Sequence, residues 1–318
     1  MSEKNRILVG VDGGKGGRAA IAYAAAEAGL DDASLWLVHA TLTEPADVVR
    51  PYPWLPDEAR RPGMRVLKQA ADEAATYVGD ERVSGTLLEG RAAPGLVHSA
   101  ADARLVVLGD DRGHRLEHVV TGSIIHRVAG HAPVPVVVVP TGWSAEQPVR
   151  RVVVAVKDCE DSTGLITEAL RHAADRDAEL VILHAWQLDT VYEDMTLSRI
   201  DVSDWESGTR RALADSLDRA RRRVRDGSAV VVGIEVRHGQ PARVIADEAA
   251  KADLLVIGRR RRSFPSGRLG STGRAVIRES RCPVEIQPPI PDVIAIEDLV
   301  LEHEGRFEKA GADPASVG

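Results

Sequence analysis

Apolar residues in the first 140 positions fall in short unbroken runs, at 6–11, 34–40, 83–88, 104–108 and 134–139. Runs of Val, Leu and Ile without polar alternation predict strands covered on both faces, as in a parallel sheet. Ala-rich stretches of helical length separate them, at 16–28, 62–78, 92–102 and 122–130, and Gly29, Gly79 and Gly130 stand where helix ends are expected. The alternation then begins again, with strands near 151–156, 179–185, 229–236, 253–257 and 283–287. A helix near 204–225 in this second stretch carries Arg221-Arg222-Arg223 at its C-terminal end, where cations suit the helix dipole. Five strands alternating with about four helices predict a doubly wound α/β unit, written twice.

The repetition is visible residue by residue, with a period near 148. Arg6-Ile-Leu-Val-Gly-Val11 returns as Arg151-Val-Val-Val-Ala-Val156, and Leu37-Val-His-Ala40 as Ile182-Leu-His-Ala185. Gly90 and Gly109 are nineteen apart, as are Gly239 and Gly258; Gly122-Ser123 returns as Gly270-Ser271, and Pro135-Val136 as Pro283-Val284. A period this long marks a duplicated domain rather than a solenoid. The expected division is a first domain at 1–142, a second at 148–288 and a tail at 289–318, with the joint near Thr141–Pro148. The Pro-led, acidic tail reads as a strap or amphipathic piece ending loosely.

Composition narrows the function classes. The chain has 318 residues, is 44% hydrophobic and only 3% aromatic, so the core is expected to be aliphatic. Forty-one basic against 48 acidic residues leave a net charge of −7, which argues against a general nucleic-acid binder. No run is long enough to span a bilayer, and the start of the chain does not read as a signal peptide, so no membrane association is expected. Cys159 and Cys282 have neither metal nor disulfide spacing, and a reducing cytoplasm is the expected setting.

Candidate chemistry lies at strand ends, where open α/β sheets bind ligands. The first strand runs into Asp12-Gly13-Gly14-Lys15-Gly16-Gly17, and the fourth into Gly109-Asp-Asp-Arg-Gly113, with Gly122-Ser123 expected to open the last helix of the unit. Glycines there let backbone N–H groups approach a ligand, and a helix start offers a phosphate seat. Asp12 can accept hydrogen bonds from sugar hydroxyls or a base amine. Glycine after a strand is also a common turn residue, and that reading stands for any one of them. The P-loop pattern fails because Lys15 is followed by Gly and position 9 is Val; Gly14-x-Gly16-x-x-Ala19 matches a dinucleotide fingerprint only formally, since His39-Ala40-Thr41 replaces the acidic residue expected after the second strand.

The opening ILVGVDGG, the element LVHA, and LVVLGDDRG followed by TGSI and APVPVVVVP resemble a universal stress protein domain, and residues 1–288 resemble a tandem pair of them. The resemblance implies two Rossmann-like folds, each on a five-stranded, mainly parallel sheet. It implies fifth strands paired across an internal pseudo-twofold, a pseudo-dimer within one chain, with a further homodimer possible. It also implies adenine nucleotide, ATP with or without magnesium, as ligand. Asp12, Gly13 and Ala40 would form the adenosine side, and Gly109, Gly113, Gly122, Ser123 and Ile124 the phosphate side. The family's middle glycine is displaced by one, leaving Arg112 in its place. That guanidinium either binds phosphate bidentately or blocks the backbone approach.

The second copy departs further. Lys157 aligns with Asp12, and Gly258 leads through Arg259–Arg262, with Arg261 at the middle-glycine position, to Gly270-Ser271. Lys157, Gly258, Arg261, Gly270 and Ser271 are expected to form a degenerate second site; a solvated loop or a docking patch for an acidic partner are the alternatives. His114 and His118 flank Glu117 without a third ligand, so no metal site is expected, and His39 and His184 read as core residues. No nucleophile–base pair is evident. The expected function is ATP binding in stress regulation; the alternatives are a nucleotide-free scaffold and a slow ATPase.

Overall fold

The computed structural model describes residues 5–41, 56–110, 118–159, 162–187, 202–259 and 269–289, of which 56–59 and 118–123 are described by backbone alone. The first half runs β1 (Arg6–Gly10), α1 (Lys15–Asp31), β2 (Ser34–Thr41), α2 (Pro56–Val78), β3 (Val83–Glu89), α3 (Ala92–Ser99), β4 (Leu105–Asp110), α4 (His118–His131) and β5 (Val136–Pro140). The second runs β6 (Arg151–Val156), α5 (Thr163–Ala174), β7 (Glu179–Trp186), α6 (Val202–Arg221), β8 (Val232–His238), α7 (Pro241–Ala249), β9 (Leu254–Gly258), α8 (Ser271–Glu279) and β10 (Val284–Gln287).

All ten strands belong to one sheet, ordered β3-β2-β1-β4-β5-β10-β9-β6-β7-β8. Each half repeats the doubly wound order, and every pair is parallel except β5 with β10, which are antiparallel. The valine run of β5 is therefore paired on both sides, and an edge that would otherwise invite aggregation is closed.

Several helix ends differ from expectation. Helix α1 passes through Gly29 to Asp31, and the turn is closed one residue later by Asp32, which takes the left-handed cap at φ 55° and donates its N–H to the Ala28 carbonyl. Helix α4 likewise includes Gly130 and ends at His131; its start, at His118, lies four residues before Gly122. Gly79 does follow the end of α2 and adopts φ 87°. The long second-half helix ends at Arg221 rather than continuing to 225.

The two faces of the sheet are built differently. On one face a single apolar core crosses the seam, with Val136 and Val138 of β5 beside Val284 and Ile286 of β10, under α3, α4, α7 and α8. On the other face each half keeps its own core, under α1 and α2 in the first and under α5 and α6 in the second. Between those two cores lies a cluster of charges. Arg176, two residues beyond α5, holds Glu27 of α1 at 2.5 Å, each side chain 10% exposed. His172 Nε2 lies 2.9 Å from each carboxylate oxygen of Glu285, which is 2% exposed and also receives the Gln287 side-chain amide.

These groups shift one another's titration. Burial works against charging His172, as does Arg176, whose Nη1 lies 3.1 Å from His172 Nδ1, but Glu285 prevails and the imidazole is raised above its ordinary 6.5. Burial would raise Glu285, yet His172, Gln287 and Arg176 hold it below the ordinary carboxylate value. A raised histidine contributes stability below its unfolded pKa and loses it as pH rises through the folded one; a depressed carboxylate contributes above its unfolded pKa and loses it as pH falls through the folded one. Thermal stability is therefore expected to decline as pH climbs past the raised His172 value. In His172→Gln, which keeps a donor for Glu285 but does not titrate, that alkaline decline is expected to flatten. Parallel curves for both proteins in scanning calorimetry would count against the pair.

Candidate functional site

The doubly wound order reverses between β1 and β4, and a cleft of about 140 Å³ opens there at the carboxyl ends of the strands. Gly10, Val11 and Asp12 come from the end of β1, Val38, His39 and Ala40 from β2, and Leu108 and Gly109 from β4. Ala92 and Leu96 of α3, with Ile124 and Ile125 of α4, close the side. The walls are largely apolar, and the volume is close to that of a roughly 150 Å³ cavity able to hold one benzene ring. One aromatic ring fits inside; anything attached to it must lie over the loops at the mouth.

The backbone around the mouth is held in place. Asp12 Oδ1 accepts the Gly14 N–H at 2.8 Å, closing a turn in which Gly13 takes φ 82°. That turn delivers the chain into α1 with Gly14 as an extended cap; the first turn itself holds no acidic residue, and the Asp12 carboxylate lies against the positive end of the helix beside the cleft. His39 Nδ1 donates to the Val11 carbonyl at 2.7 Å, tying β2 to the end of β1. Gly109 has no latitude for a side chain: a Cβ there would stand 2.0 Å from the Gly16 carbonyl oxygen.

The equivalent place in the second half keeps the frame and changes the chemistry. His184 Nδ1 lies 3.1 Å from the Val156 carbonyl, matching His39 and Val11. Lys157 follows, exposed, where the first half has Asp12. Gly258 ends β9, but a Cβ there would meet only Leu165 Cδ2 at 3.4 Å. Gly270 is the extended N-cap of α8, which begins at Ser271. Trp186 at the end of β7 packs on Trp205 of α6 and on His238, with ring centroids 4.5 Å apart in both pairs.

A family model described as the universal stress protein family matches residues 4–140 and again 148–286. The chain belongs to that family. Universal stress protein Rv2623 of Mycobacterium tuberculosis strain H37Rv is 30% identical over 295 residues, covering 87% of this chain and 94% of the relative. Universal stress protein Rv1996 of the same strain is 28% identical over 300 residues, with 87% of this chain and 93% of the relative covered. Among solved structures, a universal stress protein from Archaeoglobus fulgidus DSM 4304 superposes with a TM-score of 0.65 at 16% identity, covering 91% of this chain and 98% of that one, a likeness of fold.

Within this universal stress protein, Asp12, Ala40, Gly109 and Ile124 come together around one cleft, and Gly13 shapes the turn beside it. Gly122 and Ser123 do not open α4 as the sequence predicts; they lie in its second turn, because His118-Val-Val-Thr carries no helix breaker and the helix starts earlier. Arg112, Gly113 and Arg261 lie outside the described residues, as does His114, and His118 is described by backbone alone. Arg259 is committed elsewhere: it donates to the Ala132 carbonyl at 2.9 Å and the Ala129 carbonyl at 3.4 Å, capping the C-terminus of α4 across the seam.

The hydrophobic pattern alone does not reveal the apolar walls from β2 and α3; His39, expected in the core, borders the cleft as a residue, while its ring braces Val11 and lies towards Gly63 of α2 on the other face of the sheet. The available signal was position, since every residue at the end of an inner strand borders such a cleft. Among the described residues no group of three or more His, Cys, Asp or Glu side chains is placed to hold a metal. Burial pushes the Cys282 thiol up to about 11, and Cys159 Sγ sits 3.5 Å from His184 Nδ1.

Proposed function

We propose that the first domain of this universal stress protein, residues 1–142, binds an adenine nucleotide, with ATP as the ligand, and that binding serves regulation in the cytoplasm rather than turnover. The observation that carries this is the cleft itself: room for one aromatic ring between β1, β2 and β4, with a carboxylate and a helix start at its mouth. In this reading one ring of the purine enters between Val11, Val38 and Leu108, and the rest of the base lies at the mouth. Asp12 accepts hydrogen bonds from the ribose, using the carboxylate capacity left over from the Gly14 N–H. The phosphates extend past Gly109 towards Arg112, Gly113, Gly122 and Ser123, and magnesium accompanies them as counter-ion. Residues 148–288 form the partner domain, in which Lys157, Gly258, Arg261, Gly270 and Ser271 make a degenerate site and 289–318 are the tail.

Isothermal titration of the wild-type chain with ATP is expected to give one site per chain. Asp12→Ala is expected to weaken it by roughly 10- to 100-fold, the loss of hydrogen bonds to a charged acceptor. Asp12→Asn, which retains the oxygen for the Gly14 N–H, separates loss of the turn from loss of the ligand contact. No heat with wild type, together with no nucleotide released from the purified protein on denaturation, would sink the reading.

A further inference from the structure

The seam between the halves carries information that strand pairing alone does not supply. The halves align at a constant offset of 145 from Val11 and Val156, through Ile21 and Ile166, Ala24 and Ala169, and Ala28 and Ala173, to His39 and His184. Each of the intervening helix pairs is fully buried in both halves, so the alignment also matches the packing. On it Glu27 corresponds to His172, and Asp31 to Arg176. In the fifth strands Pro135-Val136-Val137 aligns with Pro283-Val284-Glu285, and the register sets Val137 directly opposite Glu285. A residue facing its own counterpart marks the pseudo-twofold axis. The charged cluster described above therefore sits on and around that axis.

We propose that the Glu27–Arg176 pair across the seam, together with Glu285 of the second half on the pseudo-twofold axis, makes the seam a docking surface that accepts only the unlike half, first against second, and rejects a second copy of either. The same twofold geometry applied to like halves shows why. Two first halves would place Glu27 against Asp31, the counterpart of Arg176, and Asp31 already holds Arg104 of its own half at 2.8 Å: Glu27 would exchange a guanidinium for a second carboxylate. Two second halves would place Arg176 against His172, the counterpart of Glu27, and would set two Glu285 carboxylates opposite each other where the present one is 2% exposed. Like charges brought together out of water repel strongly, and specificity comes from such penalties on the wrong partner. The other contacts do not discriminate. The β5 and β10 backbones hydrogen-bond in any combination, and Val136, Val138, Val284 and Ile286 on the opposite face are interchangeable in kind. The seam thus closes the fifth strands within one chain and withholds them from a second chain.

The test uses the full chain with a protease site in place of Ser144–Gln147, exposed residues between β5 and β6. After cleavage the fragments are exchanged in mild denaturant, returned to buffer and weighed by native mass spectrometry, their unequal lengths making every pairing distinct. The unlike pair is expected in roughly tenfold excess or more over either like pair. Glu27→Arg is expected to invert this, since a guanidinium at that position would repel Arg176 but attract Asp31 of a second first half, so that first-half pairs appear. Glu285→Val, an apolar replacement that copies Val137, is expected to let second-half pairs form. A near-statistical mixture from wild type, separation into single fragments, or an unlike pair that still dominates in Glu27→Arg would each overturn the proposal. So would the continued absence of second-half pairs in Glu285→Val.

Discussion

Gly109→Ala is expected to abolish nucleotide binding and to lower the melting temperature on the order of 5–10 °C. The added Cβ would stand 2.0 Å from the Gly16 carbonyl oxygen and 2.1 Å from its carbon. Both atoms are backbone, in the first turn of α1, so no side chain can rotate away. Either α1 or the end of β4 must shift, and the two elements together form the floor of the cleft and the turn that presents Asp12. Overpacking of a well-filled core costs about 1–3 kcal/mol, and the upper end applies where backbone meets backbone. At roughly 2–4 °C per kcal/mol for a domain of this size, the expected fall follows. The control is Gly258→Ala, whose Cβ would lie 3.4 Å from the flexible Leu165 side chain and is expected to cost under about 1 kcal/mol. Scanning calorimetry and ATP titration of both variants give the comparison, and equal melting temperatures for the two would refute the close approach.

The second large effect is expected at Arg176→Ala, with a loss of about 3–5 kcal/mol of unfolding free energy near neutral pH, the usual result of removing one member of a buried pair. Its partner Glu27 is 10% exposed and Glu285 beside it 2%, so both carboxylates lose a cation that water does not replace. The deficit is expected to shrink as pH falls and the abandoned carboxylate takes up a proton. Lys68→Ala breaks an ion pair with Asp72, but there the side chains are 75% and 64% exposed, and the expected cost is only a few tenths of a kcal/mol. Denaturant melts of the two variants at pH 7 and pH 5 test both size and direction. A cost below about 1 kcal/mol at Arg176 would mean that solvent reaches the cluster.

How far the sequence foretells this architecture depends on what kind of signal each element carries. Strands such as Val136–Pro140 and Arg151–Val156 were legible because a sheet covered on both faces requires unbroken aliphatic runs. Helix ends were less so. Gly29 and Gly130 look like stops, yet each is accommodated inside its helix, which closes two residues later at Asp31 and one later at His131. Asp12, Ala40, Gly109 and Ile124 were picked out through glycine spacing and strand-end position, and the fold does bring them around one cleft. The cleft's walls at Val38, Ala92 and Leu96 were not, because an apolar residue on a strand or helix looks the same whether it lines a cavity or fills a core. The charged seam was invisible for a related reason: Glu27, His172 and Arg176 are ordinary on or beside an amphipathic helix until the partner helix is known. Glu285 alone carried a warning, an acid between Val284 and Ile286 in a strand position expected to be buried.

The antiparallel join of β5 and β10 has a consequence for where the two halves expose their strand ends. Because every other neighbour is parallel, the strands of one half end where those of the other begin, so the two switch points open on opposite edges of the sheet, displaced by about 20 Å along its width at the usual interstrand spacing. No small ligand can bridge them, and a protein that grips one edge leaves the other free. The edges also differ in polarity: Asp12 and Asp110 border one, while Lys157 and Arg259 stand at the other. The molecule is in effect a bar with unlike poles, joined at its middle by the Glu27–Arg176 pair and a shared apolar core.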